Sequence, residues 1–81
     1  MKLPRDISGI ELADLLKALG YDIVRQTGSH IRLRTTENGE HSITIPSHDA
    51  IKIGTLNFIL KDIASHFEID KKELVGILFD R

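Results

Sequence analysis

The chain is expected to fold as one α+β domain: a three-stranded antiparallel sheet with helices packed on one face, in the order α-β-β-β-α-α. Three observations carry that expectation. A capping signature and a leucine stripe open the chain, alternating segments divided by glycine-bearing turns fill its middle, and two apolar stripes at helical spacing close it. Eighty-one residues suffice for one small core, and no repeat, low-complexity tract or linker divides them, so residues 1–81 are read as a single unit.

The first helix is expected over about Gly9 to Leu19. Ser8 and Glu11 have S-x-x-E spacing, so Ser8 can cap the helix while Glu11 reaches back to it. Ile7 and Leu12 flank the cap as a hydrophobic staple. Leu12, Leu15, Leu16 and Leu19 then follow at helical spacing, and Gly20 supplies a left-handed stop.

Three strand segments follow, YDIVRQT, SHIRLRTT and HSITIP, separated by Gly28 and by Glu37-Asn38-Gly39. Asn-Gly invites a two-residue hairpin. That register would set Arg34 opposite Ile43, a cation against a core residue. A three-residue loop, Glu37-Asn38-Gly39 with Gly39 left-handed, instead pairs Leu33 with Ile43 and Ile31 with Ile45. Register follows the buried face, so the longer loop is expected. The outer face then collects His30, Arg32, Arg34, Ser42 and Thr44 by alternation.

The last third is helical. Ile53, Leu56, Ile59, Leu60 and Ile63 mark the apolar face of a second helix, about Ile53 to Phe67. Asp70-Lys71-Lys72-Glu73 repeats the capping box, with Ile69 and Leu74 as its staple, and a short third helix is expected to bury Leu74, Ile77 and Leu78. The helices should pack on the Ile31/Leu33/Ile43/Ile45 side of the sheet.

Composition narrows the function classes. A hydrophobic fraction of 41% with mixed charge suits a globular rather than a disordered chain. Without cysteine there is neither a disulfide framework nor a thiolate metal site. No apolar run approaches the ~18 residues that span a membrane, and MKLPRDISG lacks the apolar stretch of a secretory signal. A soluble cytoplasmic protein is expected. Eleven Lys and Arg against twelve Asp and Glu give a net charge of −1, which is no overall footprint of a nucleic-acid binder. The distribution is uneven, however. Residues 21–36 hold Arg25, Arg32 and Arg34 against Asp22 alone, so any anion site belongs to the middle of the chain.

Four histidines are the main candidates for chemistry. The spacing of His41 and His48 fits no close-set zinc pattern, and no metal or other cofactor is expected. His66 reads as a surface residue near a helix end, favoured by the helix dipole, and His41 as a half-buried sheet residue. His30 differs because of its surroundings. In Thr27-Gly28-Ser29-His30-Ile31-Arg32-Leu33-Arg34 it follows a turn directly, and Arg32 and Arg34 share its face. A histidine exchanges protons near neutrality, and adjacent arginines hold a phosphate and stabilise charge developing on it. The same residues also fit a solvated hairpin with a polar outer face. Further on, Ile45-Pro46-Ser47-His48 ends a strand and leads to Gly54-Thr55-Leu56. A helix start there would aim free amides outward beside Lys52, an anion site, although ordinary loops share this composition.

Taken together these segments resemble the HicA family, the small toxins of HicA–HicB toxin–antitoxin systems. The resemblance runs through Gly20-Tyr21, Arg25-Gln26-Thr27-Gly28-Ser29-His30, Ile45-Pro46-Ser47-His48, Gly54-Thr55-Leu56 and Ile59-Leu60-Lys61, nearly the whole chain. It implies a fold similar to a double-stranded-RNA-binding domain. It also implies a ribonuclease that cuts messenger RNA and is blocked by direct binding of a HicB antitoxin. The histidine of the family's Gly-Ser-His motif is its catalytic residue, which here is His30. His48 and Ser29 are candidate supporting groups, and Arg25, Arg32, Arg34, Lys52 and Thr55 are candidate phosphate contacts. The implied reaction needs no metal: the ribose 2′-hydroxyl attacks the adjacent phosphorus, with His30 moving a proton and His48 as the candidate second proton-transfer group. The competing expectation is a non-catalytic RNA-binding module, or a relic that only binds its antitoxin. Two features depart from the family. Its members are often basic, whereas this chain is slightly acidic, and Asp70 to Arg81 extends beyond the shortest members, a segment suited to partner binding or dimerisation.

Overall fold

A computed structural model describes residues 3–79. Its elements are α1 (Gly9–Leu16), a 3-10 turn (Lys17–Leu19), β1 (Asp22–Gln26), β2 (His30–Thr35), β3 (His41–Pro46), α2 (Ile53–Phe67) and α3 (Lys71–Phe79). The order is the expected one, and the three strands form one antiparallel sheet, β1-β2-β3. The expected extension to Arg81 ends in two residues that lie outside the described ones.

α1 starts where its cap dictates. The Ser8 hydroxyl accepts from the Glu11 amide at 3.0 Å and Glu11 Oε1 accepts from the Ser8 amide at 2.9 Å. Two backbone donors that the helix start leaves without partners are thereby satisfied. Ile7 and Leu12, the staple, are both buried. The helix tightens into the 3-10 turn and stops at Gly20, whose φ of 82° is left-handed. A Cβ there would also lie 2.9 Å from Thr35 Oγ1, so the turn and β2 meet too closely for any other residue.

The β2–β3 register is the one set by the buried face: Leu33 opposite Ile43, Ile31 opposite Ile45, and His30 opposite Pro46. The intervening loop takes two left-handed residues rather than one, Asn38 at φ 58° and Gly39 at φ 96°. Asn tolerates that conformation at modest cost. Ile31, Leu33, Ile43 and Ile45 face a helical layer that contributes Leu12, Leu16, Leu56, Leu60, Ile63, Leu74 and Leu78 to one core. His30, Arg32, Arg34, Ser42 and Thr44 stay exposed on the other face.

Two expected core residues are not in the core. Ile53, the first residue of α2, is 43% exposed, and Ile51 in the preceding loop is buried instead. Ile77 is 46% exposed, because α3 packs through Leu74, Val75 and Leu78, a stripe rotated from the expected one. At the start of α3, Asp70 Oδ1 accepts from the Glu73 amide at 2.7 Å, half of the expected box. Lys71 Nζ donates to Asn57 Oδ1 and ties α3 to α2.

His66 is not the plain surface residue its position suggests. It is half-buried, its Nε2 donates to the Glu37 carbonyl at 2.8 Å, and its ring stacks on His41 with centroids 4.4 Å apart. His41 is half-buried, as expected. Its Nδ1 lies 2.6 Å from the Tyr21 hydroxyl and its Nε2 3.3 Å from Asp62 Oδ1. A neutral His41 satisfies both contacts, accepting from Tyr21 and donating to Asp62. Burial, reinforced by the Asp62 charge, pushes the Tyr21 phenol well above its ordinary range. This cluster fastens the 36–40 loop to the end of α2, on residues other than those that carry the candidate chemistry.

Candidate functional site

The β1–β2 turn places His30. The Thr27 amide donates to the His30 carbonyl at 2.9 Å, and Thr27 Oγ1 accepts from the His30 amide at 3.1 Å. Thr27 therefore closes the turn from inside, which holds Gly28 and Ser29 at its tip. Ser29 Oγ lies 3.0 Å from His30 Nδ1. When Nδ1–H donates to that hydroxyl, Nε2 carries the free lone pair and can act as a base.

A second chain segment is brought to the same place by backbone bonds. The Ser47 amide donates to the Ser29 carbonyl at 2.9 Å, the Gly9 amide to the His48 carbonyl at 3.0 Å, and the Ile51 amide to the Ile7 carbonyl at 2.8 Å. The 47–51 loop is thus stitched to the tip of the first hairpin and to the start of α1. Gly9 permits this approach: a Cβ there would overlap the Pro46 carbonyl oxygen and lie 3.2 Å from Ser47 Cα.

The result is an open pocket of about 450 Å³ lined by His30, Thr44, Pro46, His48, Lys52 and Thr55. It gathers residues from β2, β3, the following loop and the first turn of α2. Lys52 stands at the N-cap of α2 without a side-chain cap bond, so the first-turn amides find no side-chain acceptor and remain donors beside a cation. Two imidazoles, an ammonium and a hydroxyl around one cavity suit an anion that must gain and lose protons. Among the described residues no three of His, Asp or Glu gather as metal ligands.

Of the candidate site residues, His30, His48, Lys52 and Thr55 converge on this pocket, and Ser29 supports it through Nδ1 of His30. Arg32 lies next to it on the same sheet face, opposite Thr44, and Arg25 is the partner of Arg32 on β1. Arg34 is elsewhere. It sits at the other end of β2, and its Nε makes a 2.8 Å ion pair with Glu40. Sequence reasoning missed Thr27 and Gly9, the residues that position the two histidine segments. For Gly9 a signal existed: glycine at a first helical position, where most residues are better helix formers, points to a close backbone approach.

The fold and pocket define a small α+β domain with a pocket lined by two histidines at one end of its polar sheet face. The family model described as the HicA toxin of bacterial toxin–antitoxin systems matches residues 9–64, more than half of the chain and all of the pocket. The chain belongs to the HicA toxin family. α3 lies beyond the matched region. No curated protein and no solved structure matched the chain.

Proposed function

We propose that this chain is a metal-independent endoribonuclease toxin that cuts messenger RNA and is neutralised by direct binding of a HicB-type antitoxin. Membership of a toxin family supports the toxin role. The single observation that carries the chemistry is the gathering of His30, His48, Lys52 and Thr55 around one pocket.

In this reading the scissile phosphate sits among Lys52, Thr55 and the first-turn amides of α2. His30 Nε2, with Nδ1 held by Ser29, removes the proton of the ribose 2′-hydroxyl. The 2′-oxygen bonds to phosphorus, and His48 protonates the departing 5′-oxygen as the P–O5′ bond breaks. The products are a 2′,3′-cyclic phosphate and a free 5′-hydroxyl, and the charge that builds on the phosphorane is met by Lys52 and the amides.

Controlled induction of wild type and His30→Ala tests the proposal, following growth, messenger RNA and the circular dichroism of both purified proteins. His30 is exposed, so the variant should fold normally. Arrest and message loss with wild type alone are expected. Cleavage retained by a folded His30→Ala protein would overturn the assignment. Co-expression with a HicB-type partner should restore growth and yield a complex on purification.

A further inference from the structure

The β1–β2 ladder contains one irregularity, and it falls beside the pocket. Ile23 pairs with Leu33, but Arg25, not Val24, pairs with Arg32, and Gln26 pairs with Ile31. Val24 is therefore an extra residue, a β-bulge. A regular ladder would set Val24 against Arg32 and Arg25 against Ile31. Ile31 is fully buried whereas Arg32 is exposed. Cross-strand partners share a face, so the bulge moves Arg25 from the core-side row to the polar row.

This leaves two arginines directly opposite each other. Opposed like charges destabilise a sheet unless an anion lies between them. On this face Arg34 already has Glu40, but neither Arg25 nor Arg32 has a carboxylate partner among the described residues. Continuing across the sheet, Arg32 stands opposite Thr44, and Thr44 lines the histidine pocket. Arg32 and His30 are two residues apart on one strand face, about 7 Å. That separation is of the order of one nucleotide of extended backbone.

We propose that Arg25 and Arg32 form a clamp for one RNA backbone phosphate, the linkage adjacent to the scissile phosphate in the histidine pocket, and that the Val24 bulge builds it. The clamp rests on the ribonuclease reading and deepens it. Two guanidinium forks on one phosphate replace mutual repulsion with shared attraction. Because the contact is to backbone, it is indifferent to the base.

The test measures binding of a short single-stranded RNA to the His30→Ala protein across a range of salt concentrations. Arg25→Gln, Arg32→Gln and the double substitution are then added in that background. Each phosphate contact on a single strand contributes about 0.7 to the slope of log affinity against log salt. A shared clamp predicts that each single substitution lowers the slope by up to that amount, and the double by about 0.7 in total. A loss of about 1.4 in the double variant would mean two separate phosphates, and an unchanged slope no contact; either overturns the clamp while RNA binding itself persists. Deleting Val24 makes Arg25 follow Ile23 directly, so a regular ladder still sets it opposite Arg32. A deletion variant that circular dichroism shows to be folded should therefore keep the parent slope; a slope lowered like that of the double variant would overturn the clamp. A wild type that neither binds nor cuts RNA would instead overturn the ribonuclease reading, and the clamp with it.

Discussion

The Ser47 amide donates to the Ser29 carbonyl at 2.9 Å, and each of these residues immediately precedes a histidine of the pocket. One backbone hydrogen bond therefore joins the two segments on which the proposed acid and base stand. Their relative placement depends on main chain, which is less mobile than side chains on a solvated sheet face. The same loop is held from its other side by the Gly9 amide and the Ile7 carbonyl, so α1 acts as a buttress for the site.

Gly9→Ala should show how much that buttress matters. Alanine is the better helix former by about 1 kcal/mol. Its Cβ would meet the Pro46 carbonyl, which is backbone and cannot rotate away, and such overpacking costs about 1–3 kcal/mol. A net loss of stability is expected in urea denaturation, together with reduced cleavage, because the strain falls on the 46–48 segment.

Lys52 and Arg34 separate a cation of the pocket from one already occupied. Lys52→Gln removes a charge that lines the pocket and should lower RNA cleavage about tenfold, the scale of one charge-assisted hydrogen bond. Arg34→Gln breaks an exposed pair with Glu40, worth about 0–1 kcal/mol, and should leave cleavage within about twofold of wild type. Steady-state cleavage of one RNA by both variants checks the contrast.

Tyr21→Phe should reshape stability at alkaline pH. The folded protein holds the phenol proton more tightly than the unfolded chain does, so the folded state binds more protons as pH rises past the ordinary phenol value of about 10. The stabilisation is complete below that value and is lost above it. At neutral pH the variant should be less stable by about 1 kcal/mol, because the bond to His41 is gone. Above pH 10 the gap should narrow as wild type weakens. Denaturation curves at pH 7 and pH 10.5 measure both.

Glu68→Asn should stabilise the protein. Glu68 ends α2 in the left-handed conformation, at φ 58°, which costs a residue other than Gly or Asn about 1 kcal/mol. The side chain is exposed, so relief of this strain should dominate. A rise of a few degrees in Tm is expected.

Local chemistry accounts for what was legible in the residues alone. The capping box at Ser8 and Glu11, the stop at Gly20 and the Leu33–Ile43 register all depend on groups close in sequence or on one alternating pattern, and each appears as read. The partners of Arg34 and His66 were not legible, because Glu40 and Glu37 both stand in the 36–40 loop, across a turn from one and distant in sequence from the other. The proposed site lies between these cases. The order Gly-Ser-His, Pro-x-His and Gly-Thr-Leu marked His30, His48 and Thr55 as candidates, but alternation could not bring them into one cavity.

Residue identity by itself determined which side chains carry titratable or cationic groups and, on β2 and β3, which face they occupy, because side-chain direction follows a two-residue period in an unbroken ladder. Tertiary structure decided which of those groups share a pocket. The loop after β3 returns past α1 and pairs with the first hairpin, which is a question of close packing at Gly9 and Pro46 rather than of period. It also decided that Arg25 belongs to the polar face. A single extra residue in a ladder reverses every side chain beyond it, and where that residue falls is set by the pairing of two strands, not by the pattern of one.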